Sequence, residues 1–266
     1  MYTLRREESF RERYGSWAVV AGAGEGLGAA FAMDLARRSM NVMLIARRKQ
    51  HIEEVAAEIK AVYDVEALCL VRDLGRPDTI KEVESALVDK EVGVVVCNAA
   101  HIPLGSFLDT DTSDIEQAIA VNVRSPIALI RALAPGMRSR RRGGIVLMSS
   151  LAGLQGAPSL VTYSSTKAFN IILGEGLWVE LRKSGIDVVT CIAGAVRTPG
   201  YARYSAADTP GIQSPEFVAR QTLNALPNGP RFVPGFTNRL SAQLLTRLLP
   251  RRAAIALLAR ASRRQV

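Results

Sequence analysis

Histidine is almost missing from this sequence. His51 and His101 are the only two, and they stand far apart. No ligand cluster with metal-site spacing is expected, and no metal. Cysteine is scarce as well. Cys69, Cys97 and Cys191 each sit in an apolar run. That pattern predicts buried thiols in a reducing compartment, the cytoplasm, and excludes a disulfide framework. Long apolar runs are also absent. None reaches the roughly 18 uninterrupted residues that a membrane span needs. Residues 1–14 are charged and lack the apolar core of a secretory signal. Acid is missing from the end of the chain. No Asp or Glu follows Glu216, while nine arginines do (220, 231, 239, 247, 251, 252, 260, 263 and 264). The other 25 basic residues balance 25 acidic ones, so the net charge of +9 belongs to the segment after Glu216. A uniformly basic domain would point to nucleic acid. Here the charge describes a tail, and no nucleic-acid partner is expected.

What is present fits an α/β domain. The chain has 266 residues, 48% of them apolar and 22% charged, enough to bury a full core. Six apolar runs read as strands: 17–21, 41–46, 67–71, 92–97, 145–149 and 186–192. They alternate with helical patterns at 29–38, 51–63, 78–90, 113–137 and 158–182. Apolar strands alternating with helices predict a doubly wound, mostly parallel sheet of Rossmann type, covered on both faces. Residues 1–237 are read as one dinucleotide-binding and catalytic domain, and 238–266 as a basic helical appendage.

Ligands of such sheets bind beyond the carboxyl ends of the strands. The chemistry-bearing residues gather there. After the first strand comes Gly22-Ala23-Gly24-Glu25-Gly26-Leu27-Gly28, and then a helix. A glycine-rich turn that leads into a helix N-terminus is an anion site, because free N–H groups and the helix dipole face a closely approaching phosphate. The second strand ends in Arg47-Arg48-Lys49, with no acid. An acid at that point would hold a ribose 2′-hydroxyl, whereas arginine accommodates a 2′-phosphate. The expected cofactor is therefore NADPH/NADP+ in preference to NADH. Arg72-Asp73-Leu74, Asn98-Ala99, Ser150 and Ala193-Gly194 end the later strands on the same rim.

Tyr163 and Lys167 are one helical turn apart and so share a helix face. An ammonium beside a phenol favours the phenolate, drawing the tyrosine down from about 10 toward working pH. A phenol tuned in this way can give a proton to a carbonyl oxygen or take one from an alcohol. Ser150 could bond the same oxygen.

With these residues in place the sequence resembles the short-chain dehydrogenase/reductase family from Trp17 to Thr198. The family's Thr-Gly-x-x-x-Gly-x-Gly stands as Ala21 to Gly28, and its Asn-Asn-Ala-Gly as Cys97-Asn98-Ala99-Ala100. Its helix asparagine matches Asn122. Its serine and Tyr-x-x-x-Lys match Ser150, Tyr163 and Lys167, and its Pro-Gly and downstream threonine match Ala193-Gly194 and Thr198. Ala21, Cys97, Ala100 and Ala193 depart from the pattern without removing a reacting group. Ala21 replaces a threonine that normally ties the turn to the fourth strand. Short matches at 14–20 and 45–47 look like the 17β-hydroxysteroid dehydrogenase and 3-ketoacyl-CoA reductase branch. The resemblance implies a catalytic set of Ser150, Tyr163, Lys167 and Asn122, the last sustaining a proton relay through water to Lys167. It also implies cofactor contacts from the glycine turn, Arg47, Arg48, Asp73, Leu74, Asn98, Ala99, Tyr163, Lys167, Gly194, Val196 and Thr198.

The expected substrate is a lipophilic ketone or its secondary alcohol, an acyl chain or steroid. Its pocket is expected to draw on His101, Leu151, Leu154, Gln155, Tyr201 and Tyr204, under a lid at 197–213. The chain is expected to form a homo-oligomer, a dimer or tetramer. From residue 238 the leucines recur at helical spacing, Pro250 breaks the run, and seven arginines lie among them. This tail reads either as a packed cover or as a peripheral membrane contact. The rival for the whole chain is a non-catalytic dinucleotide sensor or membrane-surface adaptor on the same fold.

Overall fold

The computed structural model describes residues 10–202 and 211–262. Its framework is one sheet of seven strands: β1 (Trp17–Ala21), β2 (Asn41–Ala46), β3 (Ala67–Val71), β4 (Val92–Cys97), β5 (Gly143–Ser150), β6 (Ile186–Ala193) and β7 (Arg231–Phe232). The order is β3-β2-β1-β4-β5-β6-β7, and every pairing is parallel. Strand order reverses between β1 and β4, which opens a crevice at their carboxyl ends. The chain forms a single domain.

The helices are α1 (Gly26–Arg37), α2 (Lys49–Val62), α3 (Thr79–Ala86), α4 (Thr112–Ile119), α5 (Ser125–Arg140), α6 (Val161–Arg182), α7 (Pro199–Ala202), α8 (Pro215–Ala225), α9 (Phe236–Gln243) and α10 (Arg251–Ser262). One face of the sheet packs on α1, α2 and α8 through Phe31, Leu35, Ile52, Ile59, Val218 and Leu223. The other packs on α3, α5 and α6 through Val83, Leu129, Leu133, Met137 and Leu177. Thr112–Arg140 is long and apolar enough to cross a membrane by length and composition, but it is a core helix that packs on β4 and β5.

Four features differ from the sequence reading. The helix read over 113–137 is interrupted by a π-helical turn at Ala120–Arg124. In an α-helix the N–H of residue 126 would bond the carbonyl of Asn122, but residue 126 is proline and has none. That carbonyl accepts from Asn170 Nδ2 at 3.2 Å. Secondly, Cys97 and Cys191 are buried as expected, but Cys69 is exposed, because β3 lies at the sheet edge. Thirdly, β7, only two residues long, closes the opposite edge. Fourthly, the boundary expected at 237/238 falls inside α9, whose Asn238 and Ala242 are buried against the body.

Candidate active site

The glycine turn is held by its neighbours. Gly22 has φ +81°, and a side chain there would meet the Ala99 backbone, its Cβ 2.7 Å from Ala99 Cα. Asn98 Nδ2 donates to the Gly22 carbonyl at 3.0 Å, and Asn98 N donates to the Ala21 carbonyl at 3.2 Å. These bonds tie the turn to β4 although Ala21 has no hydroxyl. Gly26 opens α1 with φ +56°, and Thr198 packs against it, with Cγ2 2.8 Å from where a Cβ would be. Among the described residues no side chain caps the first turn of α1, and no acid lies in it. Its N–H groups are therefore left for an anion.

Around this turn lies a cleft of about 290 Å³. Of the residues assigned to a cofactor from sequence, Gly22, Gly24, Glu25, Gly26, Leu27, Arg47, Arg48, Asp73, Leu74, Asn98, Ala99 and Thr198 line it. Gly28, Tyr163, Lys167, Gly194 and Val196 do not. Gly28 packs under Gly22, and Gly194 lies against Asn238. Val196 bridges to Gln213, and with Arg197 N donating to Gln213 O at 2.8 Å it closes the base of the expected lid. The middle of that lid, residues 203–210 with Tyr204, lies outside the described residues. Sequence reasoning did not assign Ala46, Arg72, Ala100, Val121 and Gly200 to the cleft, which they line. Arg72 carried a signal, since it follows β3 as Arg47 follows β2.

The three arginines at the mouth are not equivalent. Arg48 pairs with Glu25 at 2.7 Å, and Arg72 Nε donates to Glu82 at 2.6 Å. Among the described residues Arg47 has no ion-pair partner. Asp73 accepts from the Gly75 N–H at 2.8 Å, which shapes the loop after β3. The open helix end and the glycine cradle that a Cβ would fill together fit a dinucleotide.

Behind the cleft lies a buried polar cluster. Lys167 is 3% exposed, and its Nζ donates to the Met148 carbonyl at 3.0 Å. The ammonium stands 5.5 Å from the centre of the Tyr163 ring. Burial pushes the lysine down to about 8. Cys97 and Cys191 are the thiols whose charge would bear on it, and burial pushes both up to about 12, so they stay neutral. Asn122 Oδ1 accepts from the His101 N–H at 2.7 Å, and its Nδ2 donates to His101 O at 2.8 Å and to Thr166 Oγ1 at 3.0 Å. Thr166 Oγ1 donates to Tyr163 O at 2.8 Å, and Ser149 Oγ donates to Lys167 O at 2.7 Å. The π turn, β5 and α6 are thus cross-linked around the lysine. Ser150, the last residue of β5, accepts from the Ala152 N–H at 3.2 Å.

Of the substrate-side residues, Leu151 and Leu154 lie in a 3₁₀ turn after Ser150. Gln155 is buried, and among the described residues neither of its amide atoms has a hydrogen-bond partner. Tyr201 lies on α7, half-buried. His101 lines the cleft, but its Nε2 lies 2.5 Å from Asp114 Oδ1, an orienting partner that sequence spacing did not signal.

Comparison with known proteins places this geometry. The family model described as short chain dehydrogenase matches residues 16–208. A 7beta-hydroxysteroid dehydrogenase of Clostridium sardiniense is 31% identical over 234 residues, 87% of this chain and 90% of that protein. A very-long-chain 3-oxoacyl-CoA reductase of Anas platyrhynchos is 38% identical over 179 residues, 65% of this chain but only 57% of that longer protein. Among solved structures, one of a 7beta-hydroxysteroid dehydrogenase superposes with a TM-score of 0.89 at 25% identity and covers 94% of this chain and 98% of that one. A short-chain dehydrogenase from Sphingobium yanoikuyae, solved in complex with NADPH, gives 0.76 at 28% identity over 85% of this chain and 91% of that one.

Proposed function

We propose, for a chain that belongs to the short-chain dehydrogenase family, that it interconverts a lipophilic ketone and its secondary alcohol with NADPH as cofactor. As a member of that family it is an oxidoreductase acting between CH–OH and C=O groups. The unpaired Arg47 at the end of β2 supports the NADPH reading, and the NADPH complex of a structural relative agrees with it. The relatives named for steroid and acyl-CoA substrates, and the apolar Leu151 and Leu154, support a lipophilic substrate.

When bound, the nicotinamide dinucleotide supplies or takes the hydride. The protein positions the substrate and handles the proton. Tyr163 gives its phenolic proton to the carbonyl oxygen in reduction and takes it back in oxidation. The Lys167 ammonium, 5.5 Å from the Tyr163 ring, favours the phenolate. Ser150 holds the substrate oxygen by its hydroxyl. Asn122 fixes the His101 segment and continues the proton path through water to Lys167. The observation that carries this reading is the buried Lys167 next to Tyr163, behind a glycine-lined cleft at the strand ends.

The exposed Phe169, Ile172 and Val179 on α6 support a homo-oligomer formed through that helix. A cytoplasmic protein remains the reading for location, with contact to a membrane surface through its basic end.

The deciding experiment follows NADPH consumption with a panel of ketosteroids and ketoacyl thioesters, for the parent protein and for Tyr163→Phe. Turnover should fall by at least about a thousandfold in the variant while NADPH binding holds within about threefold. Turnover by the variant within tenfold of the parent would remove the catalytic assignment.

A further inference from the structure

The C-terminal helices have two unlike faces. Along α9 and the π turn Leu244–Leu248, one face buries Asn238, Ala242 and Leu245. The opposite face exposes Phe236 (78%), Leu240 (55%), Leu244 (38%) and Leu248 (71%). These four recur every fourth residue and form one outward stripe. Arg239 and Arg247 lie on the same segment and Arg252 follows at the start of α10, and among the described residues none of them has an ion-pair partner.

The buried face touches the walls of the proposed substrate site. Asn238 Nδ2 donates to the Gly211 carbonyl at 3.2 Å, at the end of the expected lid. The Asn238 side chain also fills the space beside Gly194, where a Cβ would lie 2.6 Å from its Nδ2. Arg251 Nη1 donates to the Leu154 carbonyl at 3.4 Å, in the turn that follows Ser150. The segment thus lies against β6, the lid base and the loop after the candidate catalytic serine, while it presents leucine and arginine to the outside.

We propose that the outward stripe Phe236-Leu240-Leu244-Leu248, with these arginines, is a docking surface for an anionic lipid membrane. The chemistry selects that occupant. Aliphatic side chains enter the acyl boundary while guanidinium groups meet anionic headgroups. A second copy of this face would bring more arginine and no acid, because no Asp or Glu follows Glu216. Nucleic acid would meet the arginines but leave three leucines without a partner. Docking by this face brings the site's lid side to the lipid surface, where a lipophilic ketone is concentrated. The purpose of the surface rests on the lipophilic-substrate reading, but its detection does not.

The test is sedimentation of the full chain with phosphatidylcholine vesicles, plain or carrying about a third phosphatidylserine, at low and high salt. The parent should sediment with the anionic vesicles at low salt and be released at high salt. Leu240→Ser/Leu244→Ser/Leu248→Ser and Arg239→Gln/Arg247→Gln/Arg252→Gln should each lower partitioning at least about tenfold with the melting temperature unchanged. These positions face solvent, so both variants should fold. Failure of the parent to sediment with anionic vesicles overturns the proposal, as does equal partitioning of parent and leucine variant. Light scattering on the same samples closes the remaining route: a parent oligomer that the leucine variant dissociates would assign the stripe to self-association and overturn the membrane reading. Since no turnover is measured, a failed catalytic assignment would leave these results unaltered.

Discussion

Lys167 Nζ donates to the main-chain carbonyl of Met148 at 3.0 Å. The same carbonyl accepts a longer bond, 3.4 Å, from Asn170 Nδ2. An ammonium buried to this extent gives up hydration and gains, among the described residues, one hydrogen-bond acceptor, and burial pulls its pKa from 10.5 to about 8. The sign of the linkage follows. The folded state releases the proton near pH 8, while the unfolded chain keeps it to 10.5, so between these values the unfolded state binds more protons and stability rises with pH. Below pH 8 the penalty is present in full.

Lys167→Met should therefore abolish turnover and stabilise the fold. The gain near pH 7 is on the order of 3 kcal/mol at most, reduced by the lost bond to Met148. Thermal unfolding of parent and variant across pH 7 to 10.5 provides the check: the variant should melt several degrees higher at pH 7, with the gap closing as pH climbs through the interval from 8 to 10.5. A variant that melts lower than the parent at pH 7 would mean that the lysine is net stabilising.

Asn98 joins two walls of the cleft. Its side chain bonds the Gly22 carbonyl, its N–H bonds the Ala21 carbonyl, and it lines the cavity itself. Asn98→Ala should loosen the glycine turn without disturbing the strand bonds. The expected result is dinucleotide binding weaker by about tenfold, the value of one neutral hydrogen bond of about 1 kcal/mol plus some turn mobility. Fluorescence titration would measure it, with circular dichroism confirming an intact fold. Unchanged affinity would show that the Ala99 backbone contact alone sets the turn.

The sequence showed most of the rim because local chemistry dictates it. Gly22 and Gly26 are needed where the backbone turns left-handed against a neighbour, and such positions announce themselves in any chain. Tyr163 and Lys167 were readable because helix geometry fixes their relation. The missed features depend on contacts distant in sequence. Nothing near His101 indicates that Asp114 will hold its ring, and two residues cannot announce β7. Pro126 was visible, but its consequence for the Asn122 carbonyl needed Asn170 from another helix. In the tail, leucine spacing reports a helix and does not report what Asn238 touches. Cys69 sits in an apolar run like the other thiols, and only strand order reveals that its strand is an edge.

Arg47 and Arg48 should separate in their effect on cofactor choice. Arg48 is already paired with Glu25 at 2.7 Å, so its removal costs little net attraction for a 2′-phosphate. Arg47→Asp should weaken NADPH binding by about 100-fold and improve NADH binding, because the carboxylate repels the phosphate and accepts from a 2′-hydroxyl. Arg48→Ala should weaken NADPH binding by no more than about fivefold. Titrations of both cofactors at two salt concentrations would check the pair. Equal parent affinity for NADH and NADPH would defeat the assignment of Arg47 to a phosphate.

Asn122 and Asn170 touch one another, yet they should differ in what they contribute to stability. The Asn122 side chain is fully engaged, with Oδ1 accepting from His101 and Nδ2 donating to His101 and Thr166. Replacing it by leucine leaves both His101 backbone groups and the threonine without that partner, a loss of about 3 kcal/mol at roughly 1 kcal/mol for each bond. The Asn170 side chain is half engaged. Its Nδ2 makes two long bonds, and its buried Oδ1 has no partner among the described residues. Asn170→Leu removes an orphaned acceptor together with those weak bonds, so the two effects offset and the cost should stay within about 1 kcal/mol. Urea unfolding of the two variants measures the contrast directly. If Asn170→Leu proves as damaging as Asn122→Leu, then Oδ1 is satisfied in solution by an ordered water, and that water belongs to the polar cluster beside Lys167.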